Sequence, residues 1–297
     1  MRFTVIDVGG TFIKYACMND KSEILSRGKR PTPTSGREEF VNSLVEIYQS
    51  MPESEGIAIS LPGIIDTEKG YCITSGALKY NDNFAMVETL SERCQVNVTI
   101  ENDAKCAAIA EMTLGSLKDV NDGFVMVFGT GIGSAFIKDR KIHRGYHFSA
   151  GEISFIMTDE SSNIAENEIF GSRYGAIGLC KMYAEAINVP IDEIDGVKVF
   201  EAVHSGNKAA IACLDKLTLK VAVQICNIQN LLDPERFAIG GGISAQPVFI
   251  EYIRNHLNEI YDKSEFNLPR AEVVTCQFRN DSNLIGALQH HLEKFSI

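Results

Sequence analysis

No stretch of this 297-residue chain approaches the ~20 consecutive apolar residues of a membrane helix, so a membrane-spanning protein is not expected. Positive charge is also scarce. Lys and Arg number 28 against 39 Asp and Glu, a net charge of −11. Sequence-independent nucleic-acid binding needs a basic face to neutralise phosphates, and this balance argues against one. The local cluster "KDRKIHR" (138–144) reads as a solvated hairpin. The cysteines at 17, 72, 94, 106, 180, 213, 226 and 276 form no C-x-x-C pair. Several lie in apolar contexts such as "YACM" and "AKCAAIA", so buried free thiols of a reducing compartment are expected. The N-terminus shows no charged-then-apolar leader, and the expected location is the cytoplasm. Two common nucleotide signatures are missing as well. Gly-Lys-Ser/Thr occurs nowhere, and the first glycine pair is not followed by a third glycine opening a helix.

What is present begins with "VIDVGGTFIK" (5–14), an apolar strand ending in Asp7, then Gly9-Gly10-Thr11, then the β-rich "FIKYACM". This is a strand–turn–strand unit. It returns in "GFVMVFGTGIGSAFIKDRK" (123–141), with Gly129, Thr130, Gly131 and Gly133 at the turn, which implies an internal duplication. A third cluster, "FAIGGGIS" (237–244), follows another apolar strand. Helical periodicity marks 37–51, 103–117, 209–232, 246–261 and 282–295. "VIDV", "IKYACM", "GIAIS" and "VTIEN" read as strands of the first half. The alternation is that of an α/β protein. No Pro- or Ser-rich linker divides it. A domain of residues 1–117, joined by a returning C-terminal helix at about 282–297, and a larger domain of 118–281 are expected.

Glycine-rich turns let backbone N–H groups close on an anion, and they also supply positive φ. A single such turn has a purely conformational explanation. Two of matching design, one per half, point to a polyphosphate gripped in a cleft. Asp7, at the end of its strand, suits Mg²⁺ held directly or through water. Gly240, Gly241 and Gly242 suit the approach of a flat ring to backbone, as adenine requires. For Lys14, a phosphate contact and a solvated strand lysine are open alternatives. Asn102 and Asp103 in "IENDAKCAAIAE" close a β-run and open an Ala-rich helix. Asp103 reads as an N-cap and, equally, as a carboxylate kept ionised by the helix N-terminus.

Asp-x-Gly-Gly-Thr in one half and Gly-Thr-Gly-x-Gly in the other resemble the actin-like ATPase (ribonuclease H-like) fold, a duplicated α/β architecture of two domains flanking a cleft. Within it the chain resembles the ROK family of sugar kinases and related repressors. The likeness runs through "DVGGTFIK", "ISLPGIIDTEKG" (59–70), "ENDAKCAAIAE" (101–111), "FGTGIGSAF" (128–136), "RGYHFSAGEISF" (144–155) and "IGGGIS" (239–244). It implies ATP and Mg²⁺ as cofactors, with Asp7, Gly9, Gly10, Thr11, Lys14, Gly129, Thr130, Gly131, Gly133 and Gly240–Gly242 around them. It implies Asp103 as the base facing the sugar hydroxyl, Asn102 on a neighbouring hydroxyl, Pro62-Gly63 as the sugar-side loop, and Glu152 and Glu166 as sugar carboxylates. Because phosphoryl transfer has a loose transition state, such a base mainly orients the nucleophile and takes its proton late. The family also implies a homodimer.

The chain departs from the family at one place. Typical members carry His three residues after the sugar-binding Glu and a following Cys set, which together hold structural zinc. Here that position is Phe155, and 156–171 contains neither Cys nor His. No zinc is expected. In zinc-containing relatives that histidine also contacts the sugar near its anomeric end. Its replacement by an apolar ring points to β-glucosides such as cellobiose, phosphorylated at O6. The alternative is that Phe155 only fills space and the substrate is a free hexose: glucose, mannose, fructose or N-acetylmannosamine. A repressor needs a helix-turn-helix domain in front of Asp7 and is not expected. A non-catalytic sugar-binding regulator, and polyphosphate as donor, are the other readings.

Overall fold

The computed structural model describes residues 1–51, 53–160, 162–164 and 168–297, in two compact units. Unit 1 comprises Met1–Leu114, Arg144–Ala150 and Asp281–Ile297; unit 2 comprises Gly115–His143 and Gly151–Asn280. The division thus falls after Leu114 where Leu117 was expected. Residues 144–150, expected in the second domain, group with unit 1.

In unit 1, β1 (Arg2–Val8), β2 (Phe12–Asn19) and β3 (Ile24–Pro31) run antiparallel in succession. Helix α1 (Arg37–Gln49) leads to β4 (Gly56–Leu61), which pairs parallel with β1. A two-residue ladder of β5 (Ile65–Asp66) and β6 (Tyr71–Cys72) and helix α2 (Met86–Cys94) precede β7 (Asn97–Asn102), parallel to β4. Sheet order is β3-β2-β1-β4-β7. The apolar strands β1 and β4 are buried nearly throughout, because helices cover both faces of the parallel part of the sheet. β3 has the opposite character. Its sequence ILSRGKRP keeps charged residues at an exposed edge, so it carries no apolar alternation by which to recognise it.

Helix α3 (Asp103–Thr113) leaves β7 without a loop and ends four residues before the sequence periodicity does. Every residue from Ala104 to Met112 is buried. Small side chains are needed because the C-terminal helix, Ser282–Phe295, lies directly on it. A Cβ at Gly286 would sit 1.7 Å from the Cys106 carbonyl oxygen, so the two backbones touch.

Unit 2 repeats the plan. β8 (Gly123–Phe128), β9 (Ile132–Lys138) and β10 (Lys141–Ile142) are antiparallel neighbours. Helices α4 (Phe170–Tyr174), α5 (Ala176–Ile187), α6 (Gly196–His204) and α7 (Lys208–Leu232) intervene before β11 (Arg236–Gly241). Helix α8 (Pro247–Asp262) and β12 (Val273–Thr275) complete it. Sheet order is β10-β9-β8-β11-β12, with β8, β11 and β12 parallel. Position for position, this is the order and sense of the first sheet, which establishes the duplication. Each unit has its own apolar core. All eight cysteines are free thiols. Among the described residues no helix is long and apolar enough to cross a membrane.

Two adjacent histidines of the C-terminal helix are buried within unit 1. His291 Nδ1 lies 3.0 Å from Thr99 Oγ1, while His290 Nε2 is buried without a hydrogen-bond partner among the described residues. Burial, assisted by the nearby Arg144 and Lys294 charges, lowers the pKa of His290 to about 3. Burial and Lys294 lower that of His291 to about 4. Both are neutral in the folded chain where the unfolded chain would already be protonated. Their contribution is therefore fully present above the unfolded pKa of about 6.5 and is lost as pH falls through that value toward 4 and 3. The expected cost is up to about 1.4 kcal/mol per pH unit for each histidine. Urea denaturation between pH 7 and 4 should show this slope, and His290→Leu should reduce it by roughly half of the histidine share. An acid limb unchanged in that variant would contradict the assignment.

Candidate active site

The first hairpin is braced from three sides. Asp7 stands opposite Lys14 in the β1–β2 register, and their Oδ2 and Nζ atoms are 3.6 Å apart. Ser60 Oγ, at the end of β4, donates to Asp7 Oδ1 at 3.1 Å, and Asn283 Nδ2 donates to the same oxygen at 2.9 Å. The turn is closed by the Gly9 N–H to Phe12 carbonyl bond of 3.0 Å and held by Thr32, the residue after β3, whose Oγ1 donates to the Gly9 carbonyl. Lys14 is therefore neither simply solvated nor unpaired: it is half exposed and faces Asp7. Gly9 and Gly10 do not adopt positive φ, contrary to the reading from sequence. What glycine provides at Gly10 is room, since among the described residues an added Cβ would meet only Ala77 Cβ, at 3.7 Å.

The end of β7 holds the second group. Asn102, not Asp103, is the N-cap of α3; its Oδ1 accepts from the Lys105 N–H at 3.0 Å. Such a cap contributes about 1 kcal/mol. The other end of the same amide donates to the Gly63 carbonyl at 2.9 Å and to Asp103 Oδ1 at 3.1 Å. Asp103 Oδ1 also accepts from the Ala104 N–H at 2.8 Å. The carboxylate is therefore the first helical residue, partly buried, with one oxygen held by two donors. Such a group can orient a hydroxyl and accept its proton. Gly63, next to Pro62, has φ of +103°, and a Cβ there would lie 2.2 Å from the Thr74 carbonyl oxygen. Glycine is obligatory at this position.

In unit 2 the turn Gly129-Thr130-Gly131 joins β8 to β9 and is held by the Gly129 N–H to Gly131 carbonyl bond of 3.0 Å. The Gly129 carbonyl accepts the Ala176 N–H, which brings the start of α5 to the turn. Nothing among the described residues stands within 4 Å of a Cβ built on Gly129 or on Gly242. Gly133 lies within β9, opposite Val127. Parallel pairing sets Gly240 and Gly241 beside Val127 and Phe128, so the glycine clusters of β8 and β11 are neighbours. Gly241, with φ of +89°, would bring a Cβ to 2.2 Å from the Phe128 carbonyl oxygen.

The segment after β10 ends at Glu152, whose carboxylate accepts from the Ser154 N–H at 3.3 Å and caps the single 3-10 turn Ile153–Phe155. Buried Ser134 fixes this corner, bonding both the Gly151 carbonyl and the Ile153 N–H. Phe155 is 58% exposed and fills no interior space. Glu166 lies outside the described residues. Among the described residues, no group of three or more His, Cys, Asp or Glu is arranged to hold a metal ion. Asp7, with its hydroxyl and amide neighbours, offers the single carboxylate that Mg²⁺ uses when it keeps most of its waters. Ser60 and Ser134 lie inside motifs singled out from sequence, whereas Thr32 and Asn283 carry no local signal.

Comparison with known proteins follows the same lines. A β-glucoside kinase of Klebsiella pneumoniae is 29% identical over 297 residues, spanning 98% of this chain and 96% of its own. A β-glucoside kinase of Listeria monocytogenes is 27% identical over 295 residues, spanning 99% and 98%. The solved structure of a ROK family protein from Streptococcus pneumoniae in complex with sucrose has a TM-score of 0.89 and 28% identity, covering 100% of this chain and 99% of that one. The sequence profile of the ROK family itself matches residues 3–293. The duplicated sheets, the paired glycine turns and a match over nearly the whole length make this chain a member of the ROK family.

Proposed function

We propose that the chain is an ATP-dependent sugar kinase that phosphorylates O6 of a hexose, with β-glucosides such as cellobiose as its substrates. The observation that carries this reading is the carboxylate of Asp103, held at the first turn of α3 by Asn102 and the Ala104 N–H. In this reading Asp103 orients the accepting hydroxyl and takes its proton as the new P–O bond forms. Asn102, Pro62-Gly63, Glu152, Phe155 and Glu166 bind the sugar. The backbone N–H groups of the turns at Gly9-Gly10-Thr11 and Gly129-Thr130-Gly131, with Gly133 behind, bind the phosphates, and Lys14 adds positive charge. Gly240, Gly241 and Gly242 receive the adenosine. Asp7 would hold Mg²⁺, directly or through water; that ion's contribution is to neutralise charge on the phosphates. A homodimer without structural zinc completes the proposal.

The β-glucoside assignment is supported by two separate observations. Relatives named β-glucoside kinase align over nearly their full length. Phe155, where a hydrogen-bonding histidine is typical, presents an exposed ring that is free of any core role. A site lacking that bond loses discrimination in favour of a free anomeric hydroxyl, and an apolar ring favours an attached sugar or aryl group.

Asp103→Asn should lower turnover by about two to four orders of magnitude with the fold intact. Near-normal turnover in correctly folded protein would remove Asp103 from the role of base. Coupled assays should give higher kcat/KM for cellobiose and salicin than for glucose. Preference for free glucose would reject the glycoside assignment and leave the kinase reading standing. Elemental analysis of the purified protein should find no stoichiometric zinc.

A further inference from the structure

The residue just before Asn102 is a glutamate, and it is buried. Glu101 is 1% exposed. Its Oε1 accepts the backbone N–H of Asn102 at 2.8 Å, and its Oε2 accepts from Arg144 Nη2. Arg144 Nε in turn donates to Thr67 Oγ1 at 3.1 Å. Arg144 opens the segment 144–150, which belongs to unit 1 although the chain before and after it belongs to unit 2. That segment is tied down again at Phe148, whose carbonyl accepts from Lys105 Nζ, and it is closed on itself by the Ala150 N–H to Arg144 carbonyl bond of 3.0 Å. Both receptors of the strap, Glu101 and Lys105, flank the Asn102-Asp103 pair in sequence.

A buried carboxylate is costly to ionise, and a pair of this kind is weak evidence for stability in itself. Burial pushes the Glu101 carboxyl upward, while Arg144, the Asn102 N–H and Lys105 oppose that push. An apolar residue would fill the position at less cost, so the geometry of the bonds is what requires explanation. One oxygen is spent on the Asn102 backbone and the other on Arg144. The Arg144 bond thus sets the rotamer of Glu101, and that rotamer sets the peptide from which the Asn102 side chain departs. Asn102 then aims Asp103 through its amide.

We propose that Glu101 and Arg144 are positioning residues for phosphoryl transfer, fixing the Asn102 peptide and through it the Asp103 carboxylate. This rests on the reading of Asp103 as the base. Small displacements of a reacting group are expensive in rate, on the order of a hundredfold for 1 Å.

The test compares Arg144→Met, Arg144→Lys, Glu101→Gln and the Arg144→Met/Glu101→Gln double variant, with cellobiose and Mg·ATP as substrates. Per folded molecule, Arg144→Met and Glu101→Gln should each lower kcat roughly ten- to a hundredfold, with KM for either substrate within about threefold. The double variant should be no slower than the worse single one, since both act through one contact. Arg144→Lys should recover most of the loss. Amide hydrogen exchange supplies a readout that needs no turnover: Arg144→Met should speed exchange at residues 102–105 selectively. Wild-type kcat in folded variants, a rise in KM at unchanged kcat, additive losses in the double variant, or unchanged exchange at 102–105 would each overturn the proposal. Failure of the Asp103 reading itself would show separately, as an Asp103→Asn variant that retains turnover. Arg144 is partly exposed, so its variants decide the matter if Glu101→Gln does not fold.

Discussion

The side chain of Asn102 makes one bond with its oxygen and two with its nitrogen, and the arrangement of the acceptor end follows from them. Its oxygen starts α3, its nitrogen holds the Gly63 carbonyl, and the same nitrogen holds the carboxylate of Asp103. A side-chain amide offers an acceptor oxygen and two N–H donors in one plane without carrying charge. Aspartate here could cap the helix but could not donate to a carbonyl or to a second carboxylate. The division between neighbours follows: Asn102 makes the cap, and Asp103 is released from capping.

The same economy governs the glycines. Those at the two hairpins have ordinary φ, and their use lies in the space above the backbone. Those at Gly63 and Gly241 are different, having positive φ and carbonyl oxygens where a Cβ would be. The first kind leaves open space over the turn, and the second kind lets two segments close on each other. Gly286 belongs to neither class; it sets the distance between α3 and the C-terminal helix, which in turn buries the helix that begins at Asp103.

Unit 1 is assembled from chain segments far apart in sequence, and charged or polar contacts mark each return. Arg144 meets Glu101, Asn283 meets Asp7, and Lys294 donates to the Thr67 carbonyl. Apart from the exposed Lys294, each such group is buried or half-buried with a specific partner, so each specifies register where apolar packing alone would tolerate slippage. The two histidines in the same region are the exception, kept neutral by their surroundings.

Apolar runs, glycine turns and helical periodicity determined by themselves the α/β class, the duplication and the extents of α1, α7, α8 and the C-terminal helix, because each is a local pattern of burial. They also brought out Asp7, the glycine turns, Asn102 and Asp103 as candidates, since these lie in short motifs whose residue types suit a phosphate or a hydroxyl; Glu152 came only with the family likeness. The charged edge strand β3 escaped because an exposed edge needs no apolar alternation. The cap of α3 was misread by one residue, since Asn and Asp cap equally well and only the backbone of the folded chain distinguishes them. The contacts of Thr32, Ser134, Asn283 and the Glu101–Arg144 pair were illegible for a more general reason, although Ser134, Glu101 and Arg144 themselves stand inside recognisable motifs. Their partners lie between 17 and 276 residues away, and no local pattern encodes a contact that exists only after the chain has returned upon itself.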